Sequence, residues 1–241
     1  MSQSNDSLER PRRFYKEAAR GPMEGGFAVL LDGRAVRSPS RARLILPNEA
    51  LAALIAREWA GQGEYIEMGR MPATRLAYTA IDWIGDKREQ TIEEVVRYAG
   101  SDLLCYRAGS PRGLVARQIA AWDPMLAWAR QELQLTFHIV EGIIHKPQPQ
   151  ETLDRITDLA GKLDTFGLAG LAYATALYGS AVLALGVLTG RLGGDEAFEL
   201  SRVDEAYQQE QWGVDYEAAD RTAQHRADAA MVGEWFEALR G

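Results

Sequence analysis

Cysteine and histidine are nearly missing from this chain. One thiol in 241 residues, Cys105, rules out an intrachain disulfide and fits a reducing compartment. Its neighbours are apolar, so a buried, inert thiol is expected. The histidines, His138, His145 and His225, stand far apart, and none has zinc-site spacing. His138 and His225 read as surface or packed residues, and no metal is expected. An excess of positive charge is missing too: 27 Lys and Arg face 34 Asp and Glu, for a net charge of −7. Nucleic acid is therefore a poor partner. Gly186, Gly190, Gly193 and Gly194 are not followed by Lys-Ser or Lys-Thr and follow no strand. They do not read as a phosphate loop, and no cofactor is expected. Met1 to Arg13 is polar and carries both signs of charge, without the apolar core of a signal peptide. The expectation is a cytoplasmic protein. The chain has no long Gly/Ser linker and no internal repeat.

What is present is ordinary globular material, 46% hydrophobic and 25% charged, in a chain long enough to bury a real core. Phe166 to Leu188 carries no charge and is long enough to span a bilayer. Its glycines, and Ser180 placed to cap a second helix after Gly179, make it a buried helical hairpin instead. No integral membrane segment is expected.

The N-terminal part reads as β. Arg13 to Ala18 reads as an edge strand. Phe27 to Leu31 and Arg34 to Arg37 flank Asp32-Gly33, the strongest short hairpin signal. Arg43 to Leu46 adds another strand. Asn48 then caps a helix to about Ala60, with Leu51, Leu54, Ile55 and Trp59 on one apolar stripe. Trp59 ends that stripe and is assigned to the sheet–helix interface. An extended stretch containing Pro72 follows.

Most of the remainder has helical periodicity, over 74–84, 87–99, 112–121, 124–134, 150–162, 167–178, 180–189, 195–211 and 216–239. Asp123-Pro124 reads as a helix start. Thr136 to Ile144 reads as extended. The fold class is therefore α+β: a small N-terminal antiparallel β domain, residues 1–80, and a larger C-terminal all-helical domain, residues 81–241.

The most informative segment is Ser201 to Gly213. On one helix, Ala197, Leu200, Val203 and Tyr207 share a core-facing side. Ser201, Glu205, Gln208 and Trp212 share the other, within about 60°. A Trp beside polar groups has the composition of an interface hot spot. Two other readings stay open: a central helix buried on both sides with Glu205 and Gln208 satisfied inside, and an enzyme using Glu205 as acid or base.

The run Ser-Arg-x-Asp-Glu-x-Tyr-Gln-x-x-x-Trp-Gly from Ser201 to Gly213 resembles the C-terminal signature of ATP synthase F(1)-sector assembly chaperones of the Atp-twelve type. Further matches stand in order over residues 13–217: Arg13-Phe14-Tyr15-Lys16, Asp32-Gly33-Arg34 with Ser38-Pro39, Glu58-Trp59, Pro72 to Leu76, Ser101 to Arg107, and Trp122-Asp123-Pro124. The resemblance implies a β domain joined to a helical one. It also implies a non-enzymatic chaperone that binds the new ATP synthase alpha subunit before beta replaces it. Ser201, Glu205, Gln208 and Trp212 are the partner-binding candidates. Structural roles fall to Trp59, Asp102, Tyr207 and Gly213. One departure follows Gly213, where Val214-Asp215-Tyr216-Glu217 keeps only part of the family's acid and histidine positions. Without a mitochondrial presequence the chain looks like a bacterial member, expected to be a monomer when free.

Overall fold

Asp32 and Gly33 adopt φ of 47° and 79°. This is the doubly left-handed turn that matches the twist of a two-residue hairpin. It joins β2 (Gly26–Leu31) to β3 (Arg34–Ala35). On its other edge β2 pairs antiparallel with β1 (Ala18–Met23), from Ala18 opposite Leu31 to Met23 opposite Gly26. β4 (Ile45–Leu46) pairs with the start of β2. The computed structural model describes residues 11–142, 146–213 and 216–241.

The expected edge strand at 13–18 does not form, and β1 begins only at Ala18. Local side chains take over the backbone there. Arg13 donates to the carbonyls of Tyr15, Lys16 and Gln62. Asp32 accepts from the Lys16 and Glu17 amides, and these bonds replace a ladder.

α1 (Glu49–Ala60) lies across β1 and β2, with Leu51, Leu54, Ile55 and Trp59 buried. Asn48 caps it as expected, accepting from the Leu51 amide at 2.9 Å. The stretch around Pro72 is not extended. A 3-10 turn at Met68–Arg70 leads into α2 (Pro72–Thr79), where Pro72 fits the first helical turn. Met71 offers no cap, and Glu58 supplies one from α1. Its carboxylate accepts from the Ala73 and Thr74 amides, both at 2.7 Å, and from the Thr74 hydroxyl. Burial nonetheless raises the Glu58 pKa, outweighing the lowering by Thr74 and Ala73.

A π turn at Ala80–Ile84 leads to α3 (Arg88–Gly100) and a 3-10 turn at Leu103–Cys105. The elements that follow are β5 (Tyr106–Arg107), α4 (Arg112–Leu133), β6 (Val140–Glu141) and α5 (Gln150–Gly161). The chain ends with α6 (Thr165–Tyr178), α7 (Ala181–Leu188), α8 (Gly194–Ser201), α9 (Val203–Trp212) and α10 (Tyr216–Arg240). α6 and α7 form the expected buried hairpin, and Ser180 caps α7 by accepting from the Leu183 amide. Among the described residues no helix is long and apolar enough to cross a membrane. One cluster of buried residues runs from Tyr15 to Ala238 through both the sheet and the helices.

One helical expectation needs correction. Asp123-Pro124 starts no helix, since α4 runs straight through it. Asp123 is engaged by Arg107 at 2.7 Å instead of capping. The Trp122 indole is buried and donates to the Leu200 carbonyl at 2.8 Å. These contacts hold the turn just before the proline, whose missing amide would otherwise weaken the helix. Thr136 to Ile144, expected to be extended, contains no helix among its described residues and carries the strand Val140–Glu141, paired parallel with β5. Residues 143 and 144 of that stretch lie outside the described residues, as do Val214 and Asp215.

Candidate functional site

Most residues of the sequence motifs hold the fold together. Tyr15 is buried against Trp59 with ring centroids 5.7 Å apart, and its hydroxyl donates to the Trp59 carbonyl at 2.6 Å. Trp59 thus sits between sheet and helix, where its apolar stripe put it. Ser38 donates to Asp82 at 2.5 Å, tying the β3–β4 loop to the π turn. Asp102 is fully buried. It accepts from the Leu104 and Val182 amides, both at 3.1 Å, so one carboxylate caps a 3-10 turn and α7 together. Burial pushes its pKa up to about 6 against the lowering by Ser180, Leu104, Val182 and Ala181. Cys105 is buried beside it, and burial raises that thiol further. Arg107 bonds Leu104 and Asp123, with its guanidinium 5.2 Å from the Trp122 ring centroid.

The candidate binding segment is not one helix. α8 ends at Ser201, Arg202 leaves helical geometry at φ −116° and ψ 18°, and α9 begins at Val203. The Ser201 hydroxyl donates to the Phe198 carbonyl at 2.7 Å, and Arg202 reaches Glu205 at 3.5 Å and Thr222 at 3.4 Å. These side-chain bonds turn the chain at a point where periodicity alone predicts continuity. Ser201 therefore shares no helix with Glu205, Gln208 and Trp212.

α9 rests on α4 through mixed contacts. Arg117 makes two bonds to Glu210, at 2.8 and 2.5 Å, and this pairing lowers the Glu210 pKa. Gln118 donates to Asp204 at 2.7 Å. The Tyr207 ring covers Gly113 so closely that a methyl group there would meet its hydroxyl at 3.1 Å. Leu200 and Val203 pack partly buried against the core. At about 100° per residue, Glu205, Gln209 and Trp212 point away from Tyr207, within about 60° of one another. Gln208 lies about 40° from Trp212 on that side. Trp212 is 80% exposed. Gly213 ends α9 at φ 90°, a conformation that L side chains rarely adopt.

Beside this face, a groove of about 550 Å³ separates Gln209 from α10. Its α10 wall is a row of methyl groups, Ala219, Ala223, Ala227 and Ala230, with Asp195 and Arg226 also lining it. The arrangement is an apolar channel with charged groups beside a protruding indole. It is suited to holding a polypeptide surface and resembles the hot-spot-and-rim composition of interfaces. Among the described residues no cluster of His, Cys, Asp and Glu is placed to hold a metal ion.

The sequence reading missed Phe14, which is 72% exposed while its neighbour Tyr15 is buried. The signal was available. Two consecutive aromatics on extended backbone face opposite ways, so one of them must point outward.

The family model described as ATP12 chaperone protein matches residues 12–130. The mitochondrial protein atp12 of Schizosaccharomyces pombe is 28% identical over 226 residues, covering 88% of this chain and 78% of its own length. The crystal structure of Atp12 from Paracoccus denitrificans matches with a TM-score of 0.88 at 39% identity, over 95% of this chain and 99% of that one. The Atu1473 protein of Agrobacterium tumefaciens matches with a TM-score of 0.90 at 42% identity, over 95% of this chain and 86% of its own.

Proposed function

The chain belongs to the ATP12 chaperone family, and on that premise we propose that it binds the unassembled alpha subunit of the ATP synthase F(1) sector and holds it until beta takes its place. The alpha subunit alone exposes an apolar face that favours aggregation. A placeholder that covers this face and leaves by exchange needs no nucleotide and no covalent chemistry.

The observation that carries the reading is Trp212. An indole left 80% exposed on the same side of α9 as Glu205 and Gln208, one turn from the Gln209 that lines the alanine groove, is poorly explained by folding and well explained by a partner. Glu205 and Gln208 supply polar contacts around that anchor. The side chain of Glu205 is 46% exposed, with Arg202 its ion-pair partner. Ser201 supports the turn between α8 and α9 and joins the contact through the position of that turn.

The test is aggregation of purified alpha subunit, followed by light scattering with wild type, Glu205→Lys and Trp212→Ala. Both variants are expected to melt like wild type and to lose protection of alpha. Variants that melt normally and protect alpha fully would remove this face from the contact. A Glu205→Lys variant that does not fold would make Glu205 part of the framework.

A further inference from the structure

The region around β3 and β4 carries a charge pattern opposite to the rest of the molecule. Arg34, Arg37, Arg41 and Arg43 fall within ten residues, and no acidic residue stands between Gly33 and Asn48. All four are exposed, on a chain whose net charge is −7. Among the described residues none of the four has a carboxylate within ion-pair distance. Arg37 reaches only the Arg41 carbonyl. Arg37 and Arg43 are also direct cross-strand partners, and like charges opposite each other destabilise a strand pair. A fold that keeps this repulsion is relieved by an anion supplied from outside.

The arginines adjoin a shaped surface. A groove of about 540 Å³ is lined by Phe14, Val36 and Trp59 together with Arg34, Arg37 and Asp32, whose carboxylate is taken up by the Lys16 and Glu17 amides. Phe14 is a large apolar side chain held in the open at 72% exposure. Trp59 is only 6% exposed, and its indole N–H finds no acceptor among the described residues. Buried donors are rarely left unpaired in native proteins.

We propose that this groove is a second client-contact site, which takes an extended acidic polypeptide segment with an apolar side chain seated among Phe14, Val36 and Trp59 and its carboxylates on Arg34 and Arg37. The proposal rests on the chaperone reading and deepens it: one client is held at two places, by α9 and by the sheet. Arginine suits the role, because its planar fork binds carboxylates with two parallel bonds. A polypeptide fits better than a nucleic acid or another bare polyanion. The aromatic groove calls for an apolar side chain, and the acidic remainder of the chaperone repels a long polyanion.

Fluorescence anisotropy on the full chain tests it. The probes are a dye-labelled peptide of Asp and Glu around one Phe, the same peptide with Lys in place of the acids, and a thymidine oligonucleotide. Wild type is expected to bind the acidic peptide, more weakly as salt rises, and to ignore the lysine peptide. Combining Arg34→Glu with Arg37→Glu should weaken binding on the order of tenfold or more. Phe14→Ser should weaken it without altering melting, since that side chain is already in water. Glu205→Lys should bind the peptide normally. Equal binding of both peptides, tighter binding of the oligonucleotide, or no effect of the arginine reversals would overturn the proposal. If the peptide binds through the arginines but wild type fails to protect alpha, the client has been misidentified and the groove stands.

Discussion

The α6–α7 hairpin and α9 are both helical, yet they are held by opposite means. In α7 every residue from Ala181 to Val187 is buried, and in α6 most are. α9 has no fully buried residue. It is attached to α4 by an ion pair, an amide–carboxylate bond and one tyrosine ring. Burial that complete makes the hairpin intolerant of change, because any polar or oversized group must displace packed neighbours. A helix held by partly exposed polar contacts gives up little when one is lost. The difference separates what the chain needs to fold from what it is free to offer a partner.

The comparison is broken most severely at Ala184. Ala184→Asp places an unpaired carboxylate in the hairpin and should cost at least 3 kcal/mol or so, enough to move the chain into the insoluble fraction. A soluble variant with a normal unfolding midpoint would mean that the hairpin is looser than its burial indicates.

Asp102 gives the next largest effect, and it depends on pH. Its folded pKa of about 6 lies above its ordinary 3.8, through burial. The folded chain therefore holds this proton more tightly than the unfolded chain does. The group's contribution is fullest below pH 3.8 and is lost as pH rises toward 6, a change on the order of 2–3 kcal/mol. Urea unfolding of wild type and Asp102→Asn, followed from pH 4 to 7, should show this decline only in wild type. Parallel pH profiles would sink the assignment.

Arg117→Ala probes the α9 attachment. It removes two exposed charge-assisted bonds and the cation over Tyr207, and should lower global stability only slightly. The loss should appear as faster amide exchange in α9 with little change in α6 and α7. Protection lost evenly across the molecule would mean that α9 is part of the cooperative core. Trp212→Ala is the smallest perturbation and should leave stability within about 0.5 kcal/mol, as expected of an exposed residue. A clear drop in its thermal midpoint would show that the indole packs on its own chain.

The sequence was legible where structure is decided locally. Asp32-Gly33 makes its turn, Asn48 caps α1 and Ser180 caps α7, each through contacts within a few residues. It was opaque where the deciding partner is distant. Glu58 caps α2 from another helix. Pro124 stays inside α4 because Arg107 and the Leu200 carbonyl hold its neighbours. The break at Arg202 depends on bonds that helical periodicity does not encode. For the candidate site, the outward side of Glu205, Gln208 and Trp212 was readable from spacing, and the detachment of Ser201 from them was not. Phe14 and the arginine cluster were visible as residues, but only the fold places them around one groove.

Asn48 also does something at long range: its side-chain amide donates to the Ala238 carbonyl at 2.7 Å. The start of α1 is thereby joined to the end of α10, which also packs across α1 and α2. During synthesis the sheet and α1 leave the ribosome well before α10, the helix that packs on α1. The face of α1 that α10 covers stays open until α10 is free of the exit tunnel. This molecule thus passes through its own period with an uncovered apolar face, and a truncated message would leave it in that condition permanently.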